Sequence, residues 1–318
     1  MNGTTGAPPA EDRTLCGWRV RSEIALPEAL PWRGPADHPV DVNVALGPVP
    51  GSLPDAVSTE RQASVDPAGR YLLTIRNAGR YLVTGGNRIV VDRTCPPDWP
   101  DARLFIETNC LAALGLQRGY LPLHAAVVQV HGRVIAIMGV AGQGKSTLAA
   151  TLALRGHRFL AEDVGMLQLP AKHGRARPVV IPSLPNVRLL ESALVALGIE
   201  PESLQRSRRR MRKYHLVRPD LFHEQPATLD AMVFLANTSD DGAVGVAAVN
   251  QIERVADVIR MILRPKLALQ LGFEHPSIAM AMHMLGERRV FRLSVRRDLS
   301  RLHDNAALIE QLALSLPG

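Results

Sequence analysis

Polar and apolar residues alternate through the first hundred positions of the chain. Trp18-Arg-Val-Arg-Ser-Glu-Ile-Ala-Leu26 and Val40-Asp-Val-Asn-Val-Ala-Leu46 both keep a period of two. That period puts every second side chain on one face and predicts strands with one buried side. Residues 71–75, 80–84 and 88–92 continue the pattern, the last two joined by the turn Gly85-Gly86-Asn87. Residues 1–12 read as a flexible tail and 13–100 as a small, mostly β N-terminal domain. The run Pro96-Pro97-Asp98-Trp99-Pro100 marks a break. A linking helix is expected within 101–120, over about 102–115.

Beyond residue 120 the periods mix. Residues 125–130 and 134–138 are continuous apolar runs around the turn His131-Gly132-Arg133, as in strands buried on both faces. A helix is expected over 146–155, stopped by Gly156. A strand follows over 158–162, then a partner strand after the basic loop 172–177. Residues 192–197, 251–263, 278–285 and 302–316 read as helices; 232–236, 244–249 and 290–295 read as strands. Alternating strands and helices predict one α/β domain over 121–318.

Composition narrows the classes. Of 318 residues, 46% are hydrophobic and 21% charged, enough apolar material to exclude a disordered chain. No apolar run approaches the roughly 20 residues that cross a bilayer. The polar start lacks a secretory signal, so a cytoplasmic location and no membrane partner are expected. Cys16, Cys95 and Cys110 form no CxxC pair, which argues against structural zinc and disulfides. Residues 1–100 hold 10 Lys and Arg against 11 Asp and Glu, and residues 101–318 hold 27 against 19. The basic excess therefore sits in the second part, where it suits phosphates, nucleic acid or an acidic partner.

The strongest motif is Gly139-Val-Ala-Gly-Gln-Gly144-Lys145-Ser146, which fits G-x-x-x-x-G-K-[ST] between an apolar strand and a helix. Gly139, Gly142, Gln143, Gly144, Lys145, Ser146 and Thr147 are the candidate phosphate cradle. In such a loop the backbone N–H groups point at the anion, Lys145 reaches the β- and γ-phosphates, and Ser146 ligates Mg²⁺. No Leu-Ser-Gly-Gly-Gln signature and no guanine-reading Asn/Thr-Lys-x-Asp motif is present, which favours a kinase over a transporter or GTPase. The expected strand at 158–162 runs into Glu162-Asp163. A carboxylate there can hold Mg²⁺ or take a proton from an attacking hydroxyl. His124, just before the first strand, is a further candidate.

These residues carry a resemblance. The text from Leu121-Pro-Leu-His124-Ala-Ala through Gly139–Ser146 to Arg155-Gly-His157 and Glu162-Asp163 resembles the catalytic domain of HPr kinase/phosphorylase. It looks closer still to the bacterial HPr-kinase-like serine kinases, some of which accompany lasso-peptide biosynthesis and phosphorylate a precursor peptide at its C-terminal serine. Arg21-Ser-Glu-Ile-Ala-Leu-Pro27, Gly79-Arg-Tyr-Leu-Val83 and Gln117-Arg-Gly119 look like that group's N-terminal region. The resemblance covers most of 18–215. It implies a P-loop kinase domain of HPr-kinase/PEP-carboxykinase-like type with ATP and Mg²⁺ as cofactors, and a peptide with an acceptor serine as partner. It also implies self-association, since HPr kinases are hexamers.

Carried over residue by residue, Lys145 and Ser146 match the phosphate and metal positions, and His124 matches a histidine near the phosphates. Asp163, also a metal candidate, matches the second acid of an Asp-Asp pair. The first, the general base in HPr kinase, is Glu162 here, so either Glu162 or Asp163 takes that role. The Glu-Ile-Arg-Gly-Leu-Gly motif is missing, which argues against HPr as substrate and against a phosphorylase reaction. In its place stands Pro182-Ser-Leu-Pro-Asn-Val-Arg188, making Arg188 a candidate stabiliser of the transferring phosphoryl group. The basic run Arg206-Ser-Arg-Arg-Arg-Met-Arg-Lys213 reads as a solvated loop, or as one that closes over phosphates or an acidic peptide through Lys213. Nucleic acid is the least favoured partner, because Tyr214 is the one aromatic nearby. Alternatives to a peptide kinase are a nucleotide-dependent adaptor or regulatory ATPase, and a kinase of free serine or a sugar.

Overall fold

The computed structural model describes residues 11–59, 62–94, 100–170, 176–238, 242–249 and 254–317. Most of the expected tail, the proline break, much of the basic loop at 172–177 and the start of the helix expected at 251 lie outside the described residues. The fold is mixed α/β, built on two large sheets.

The N-terminal sheet has nine strands. Trp18–Ser22 pairs in parallel with Val42–Leu46, which pairs in parallel with Arg88–Asp92; Gly79–Thr84 and Tyr71–Ile75 follow antiparallel. Short strands that the period did not show, such as Arg13–Leu15 and Ala63–Val65, extend both sides. In Gly79–Thr84 the buried residues are Gly79, Tyr81 and Val83, the period-two face expected of a half-buried strand.

The second sheet centres on Arg133–Met138, antiparallel to Ala125–Val130 and parallel to the long strand Ala227–Thr238. Val290–Arg296 adds in parallel beyond Ala227–Thr238, and Arg158–Ala161 adds beyond Ala125–Val130. Both faces of the centre are covered, which explains its unbroken apolar text. Ala126, Val128, Ile135 and Ile137 pack against Leu148 and Leu152 of helix Lys145–Leu154 and Ile309 and Leu312 of helix Leu302–Ser315. Val127, Val134, Ala136 and Met138 face a cluster that takes in Leu111, Leu114, Met280 and Met284, and also Tyr81, Val83 and Val91 of the N-terminal sheet. Buried Cys16 and Cys110 belong to the same cluster, and burial pushes the Cys16 thiol up to about 12.

The linking helix is longer than its pattern and irregular. It runs as α-helix over Pro100–Phe105, makes a π-helical turn at Ile106–Cys110, and continues as α-helix over Leu111–Gln117. Gln117 fixes its end to the N-terminal sheet, accepting from Gly86 N at 2.8 Å and donating to Gly69 O at 2.7 Å. The helix expected up to residue 263 is instead the short Val255–Ile259. Leu263 N donates to Pro122 O at 2.9 Å, and Arg264 adopts φ 56° ahead of Pro265, a residue that disfavours helix before it. Pro265 opens a further helix, Pro265–Gln270, absent from the sequence reading. The basic run is an antiparallel hairpin, Arg206–Arg208 with Met211–Val217, because Tyr214 and Leu216 anchor it in the core beside helix Lys145–Leu154. Among the described residues no helix is long and apolar enough to cross a membrane.

Candidate functional site

The turn from Met138 into helix Lys145–Leu154 needs glycine at three places. Gly139, Gly142 and Gly144 take φ of 148°, 85° and 97°. At Gly139 space is also short: a Cβ would lie 2.3 Å from Gln143 Oε1 and 2.9 Å from Leu235 O. Gln143 ties the loop to itself, accepting from Val140 N at 3.0 Å. Gly144, Lys145, Ser146 and Thr147 then line a cleft of about 400 Å³, where the first turn's N–H groups lack helical acceptors. A loop of this shape at a helix N-terminus suits an anion.

Lys145 is buried and folded back over its own loop. Its Nζ donates to Gly139 O at 2.7 Å and Val140 O at 3.3 Å, and lies 3.0 Å from His124 Nε2. Burial lowers its pKa, against the pull of Asp163 and Glu162. An ammonium has no lone pair, so His124 Nε2 is the acceptor and the ring proton sits on Nδ1. That nitrogen faces Asp163 Oδ1 at 3.0 Å.

The acidic pair splits at the strand end. Arg158–Ala161 stops at Glu162, and Asp163 takes φ 67°, a left-handed conformation costly for a side chain other than glycine. Successive carboxylates thereby point to different places. Glu162 turns inward, its Oε1 accepting from Ser146 Oγ at 2.5 Å and its Oε2 from Arg188 Nε at 3.0 Å. Asp163 lines the cleft, and its Oδ2 accepts from Arg188 Nη2 at 2.8 Å. Burial would raise the Asp163 carboxyl, but Arg188, His124 and Lys213 overcome it and hold it well below the carboxylate range. Arg188 is raised in turn, its burial outweighed by Glu162 and Asp163.

Of the candidates from the sequence, His124, Gly142 to Thr147, Asp163, Arg188 and Lys213 line one cleft, with Glu162 directly behind Ser146; Gly139 starts the loop but does not line the cleft. The opposite wall was missed. Leu235 and Asn237, Val295 to Leu299, Leu302 and Asn305 complete it. No motif marks them, but Asn237 and Arg296 close the parallel strands Ala227–Thr238 and Val290–Arg296, and such strand ends are where open α/β sheets bind ligands. The Ser146 hydroxyl and Glu162 carboxylate, touching at the rear of the loop, are hard oxygen donors of the kind that would hold Mg²⁺.

Behind Arg188 lies His215, its cross-strand neighbour. Its Nδ1 lies 2.7 Å from Asn186 Nδ2, and burial lowers its pKa from 6.5 to about 4. The folded ring stays neutral while the unfolded one binds a proton below pH 6.5. Stability is thus expected to fall as pH drops from 6.5 to 4 and to level off below, by about 3 kcal/mol from this group. Thermal unfolding of wild type and His215→Phe between pH 4 and 7.5 checks this; equal slopes would refute it.

Fold and site together define a glycine-rich loop at a helix N-terminus with an acid–arginine–histidine cluster at its mouth. No protein-family model matches the sequence, and no curated protein matches it. Among solved structures, the Hpr(Ser) kinase/phosphatase of Coxiella burnetii is similar at a TM-score of 0.32 and 11% identity, over 61% of this chain and 97% of that one. A TM-score this low carries no function across, so the site's own geometry must.

Proposed function

We propose that the protein is an ATP- and Mg²⁺-dependent kinase that transfers the γ-phosphate to a peptide serine. The observation that carries this is the single cleft in which Lys145, His124, Asp163 and Arg188 form one chain of contacts beside the glycine loop. The triphosphate lies along Gly139 to Thr147. Lys145 exchanges its loop carbonyls for the β- and γ-phosphates. Ser146 and Glu162 would hold Mg²⁺, which would supply neutralisation of phosphate charge. Asp163, the acid that reaches the cleft, orients the serine hydroxyl and takes its proton. The serine Oγ–P bond forms as the bond from phosphorus to the oxygen retained by ADP breaks. Arg188 offsets the charge that spreads over the phosphoryl oxygens, and His124 holds Asp163 and Lys145 in register.

The basic hairpin supports a peptide acceptor. Lys213 lines the cleft, while Arg206 to Arg212 do not, Arg208 pairing with Asp101 and Arg212 with Glu191. An acidic chain or a C-terminal carboxylate would be drawn there. The resemblance narrows the acceptor further, to the C-terminal serine of a lasso-type precursor. Two results test the reading. Gly139→Ala should weaken Mg-ATP binding at least about tenfold by calorimetry, since its Cβ displaces the Leu235 carbonyl. Serine-containing peptides should be phosphorylated faster than free serine; equal rates would point to a small-molecule kinase instead.

A further inference from the structure

The two ends of the cleft differ in chemistry. Strand Arg133–Met138, which runs into the glycine loop, has neighbours on both sides. On one side lie Ala125–Val130 and then Arg158–Ala161, and the charged groups His124 and Asp163 stand at the ends of these two strands. On the other side lie Ala227–Thr238 and then Val290–Arg296, where the cleft wall is largely apolar. Val295 and Leu302 are buried in that wall, and Leu148 joins them from the helix after the glycine loop. Two further leucines line the cleft without being covered: Leu190 is 51% exposed and Leu299 is 41% exposed. A flat apolar group laid against them would take bare hydrocarbon out of water.

Polar groups at this apolar end wait for partners. Asn305, one turn into helix Leu302–Ser315, lines the cleft and is only 9% exposed. Its amide makes no hydrogen bond among the described residues. Arg296 closes its strand and lines the same end, and its Nε is buried without a partner. Leaving such groups unpaired costs more than pairing them gains, so a fold that keeps them in a cleft points to a ligand that satisfies them. An amide sets an acceptor oxygen beside N–H donors. Adenine offers the complement on one edge, an amino group that donates next to a ring nitrogen that accepts. Arg296 has donors only, which suit the oxygens of a sugar.

We propose that this end of the cleft is a nucleobase slot, in which Leu190 and Leu299 cover the faces of adenine and the Asn305 amide reads its amino edge. The inference rests on the kinase reading above, which sets the γ-phosphate beside Asp163. A nucleotide laid across the glycine loop in that sense carries its nucleoside towards Arg296 and Asn305. Asn305 binds and touches no reacting atom. It selects the nucleotide and leaves the transfer step to the other end.

The test is calorimetric binding of three probes, each with Mg²⁺: ATP, the purine nucleoside triphosphate that lacks adenine's amino group, and inorganic tripolyphosphate, which lacks the nucleoside. Wild type should bind ATP about tenfold tighter than the amino-free analogue, and tighter still than tripolyphosphate. Asn305→Leu, similar in size, should bind ATP and the analogue alike and tripolyphosphate as wild type does. Should that variant not fold, Leu299→Ser trims an exposed position and should weaken both nucleotides about threefold or more without touching tripolyphosphate. Wild type that binds ATP no tighter than tripolyphosphate, Asn305→Leu that still prefers ATP over the analogue, or Leu299→Ser with unchanged ATP affinity would overturn the slot. The expected preferences in a wild type that transfers no phosphate to a peptide would overturn the kinase reading alone.

Discussion

Asp163→Asn is expected to lower phosphoryl transfer by about a thousandfold or more while changing ATP affinity by no more than a few-fold. The substitution is nearly isosteric and keeps one acceptor oxygen for Arg188 or His124, now 2.8 and 3.0 Å away. On the kinase reading proposed above, it removes the charge that orients and deprotonates the acceptor. The glycine loop and Lys145, which on the same reading bind the triphosphate, stay in place. Glu162→Asp should behave differently. That carboxylate lies behind Ser146, so retracting it should raise the Mg²⁺ concentration needed for transfer before it affects the acceptor. Single-turnover transfer with saturating ATP separates the two; loss of ATP binding in Asp163→Asn would show that Asp163 belongs to the nucleotide site instead.

Arg188→Met carries the largest expected effect on stability. Arg188 is 7% exposed and is the shared partner of two acids, Glu162 and Asp163. Removing it leaves the buried Glu162 carboxylate without its ion partner and deprives Asp163, at the cleft, of one of its two, a loss of about 3–5 kcal/mol. The melting temperature should fall by roughly 10 °C at pH 7. The pH dependence has a definite sign. In wild type the Asp163 carboxyl is held below its ordinary 3.8, so its contribution is present above that value and is lost as pH falls beneath it. The deficit of Arg188→Met is therefore full at neutral pH and shrinks below about pH 4. A constant deficit from pH 3 to 7 would mean that Arg188 stabilises by packing rather than by charge.

The glycine loop was legible because its residue types follow from backbone geometry. Gly139, Gly142 and Gly144 stand where φ is positive, and Lys145 and Ser146 open the helix. The strands at the centre of the second sheet were legible because both faces are buried. Three other features were hidden, each for its own reason. The hairpin at 206–217 is masked by its arginines, whose charged heads face solvent while Tyr214 and Leu216 hold it down. The helix expected up to residue 263 fails because tertiary pairing of Leu263 with Pro122 overrides its apolar spacing. Which of Glu162 and Asp163 reaches the cleft depends on one left-handed residue, and no local pattern announces φ 67° at an aspartate. The buried pair of Glu28 and Arg103 joins positions 75 apart, so spacing along the chain could not reveal it.

The central claim is that this cleft moves a γ-phosphate to a peptide serine. The measurement that tests it most directly is transfer from γ-³²P-ATP, with Mg²⁺, to a low-mass peptide extract of the source cells, for wild type and Lys145→Ala. Label should enter a peptide only with wild type, and mass spectrometry should place it on serine. Label released solely as free phosphate, or no difference between the two proteins, would contradict it.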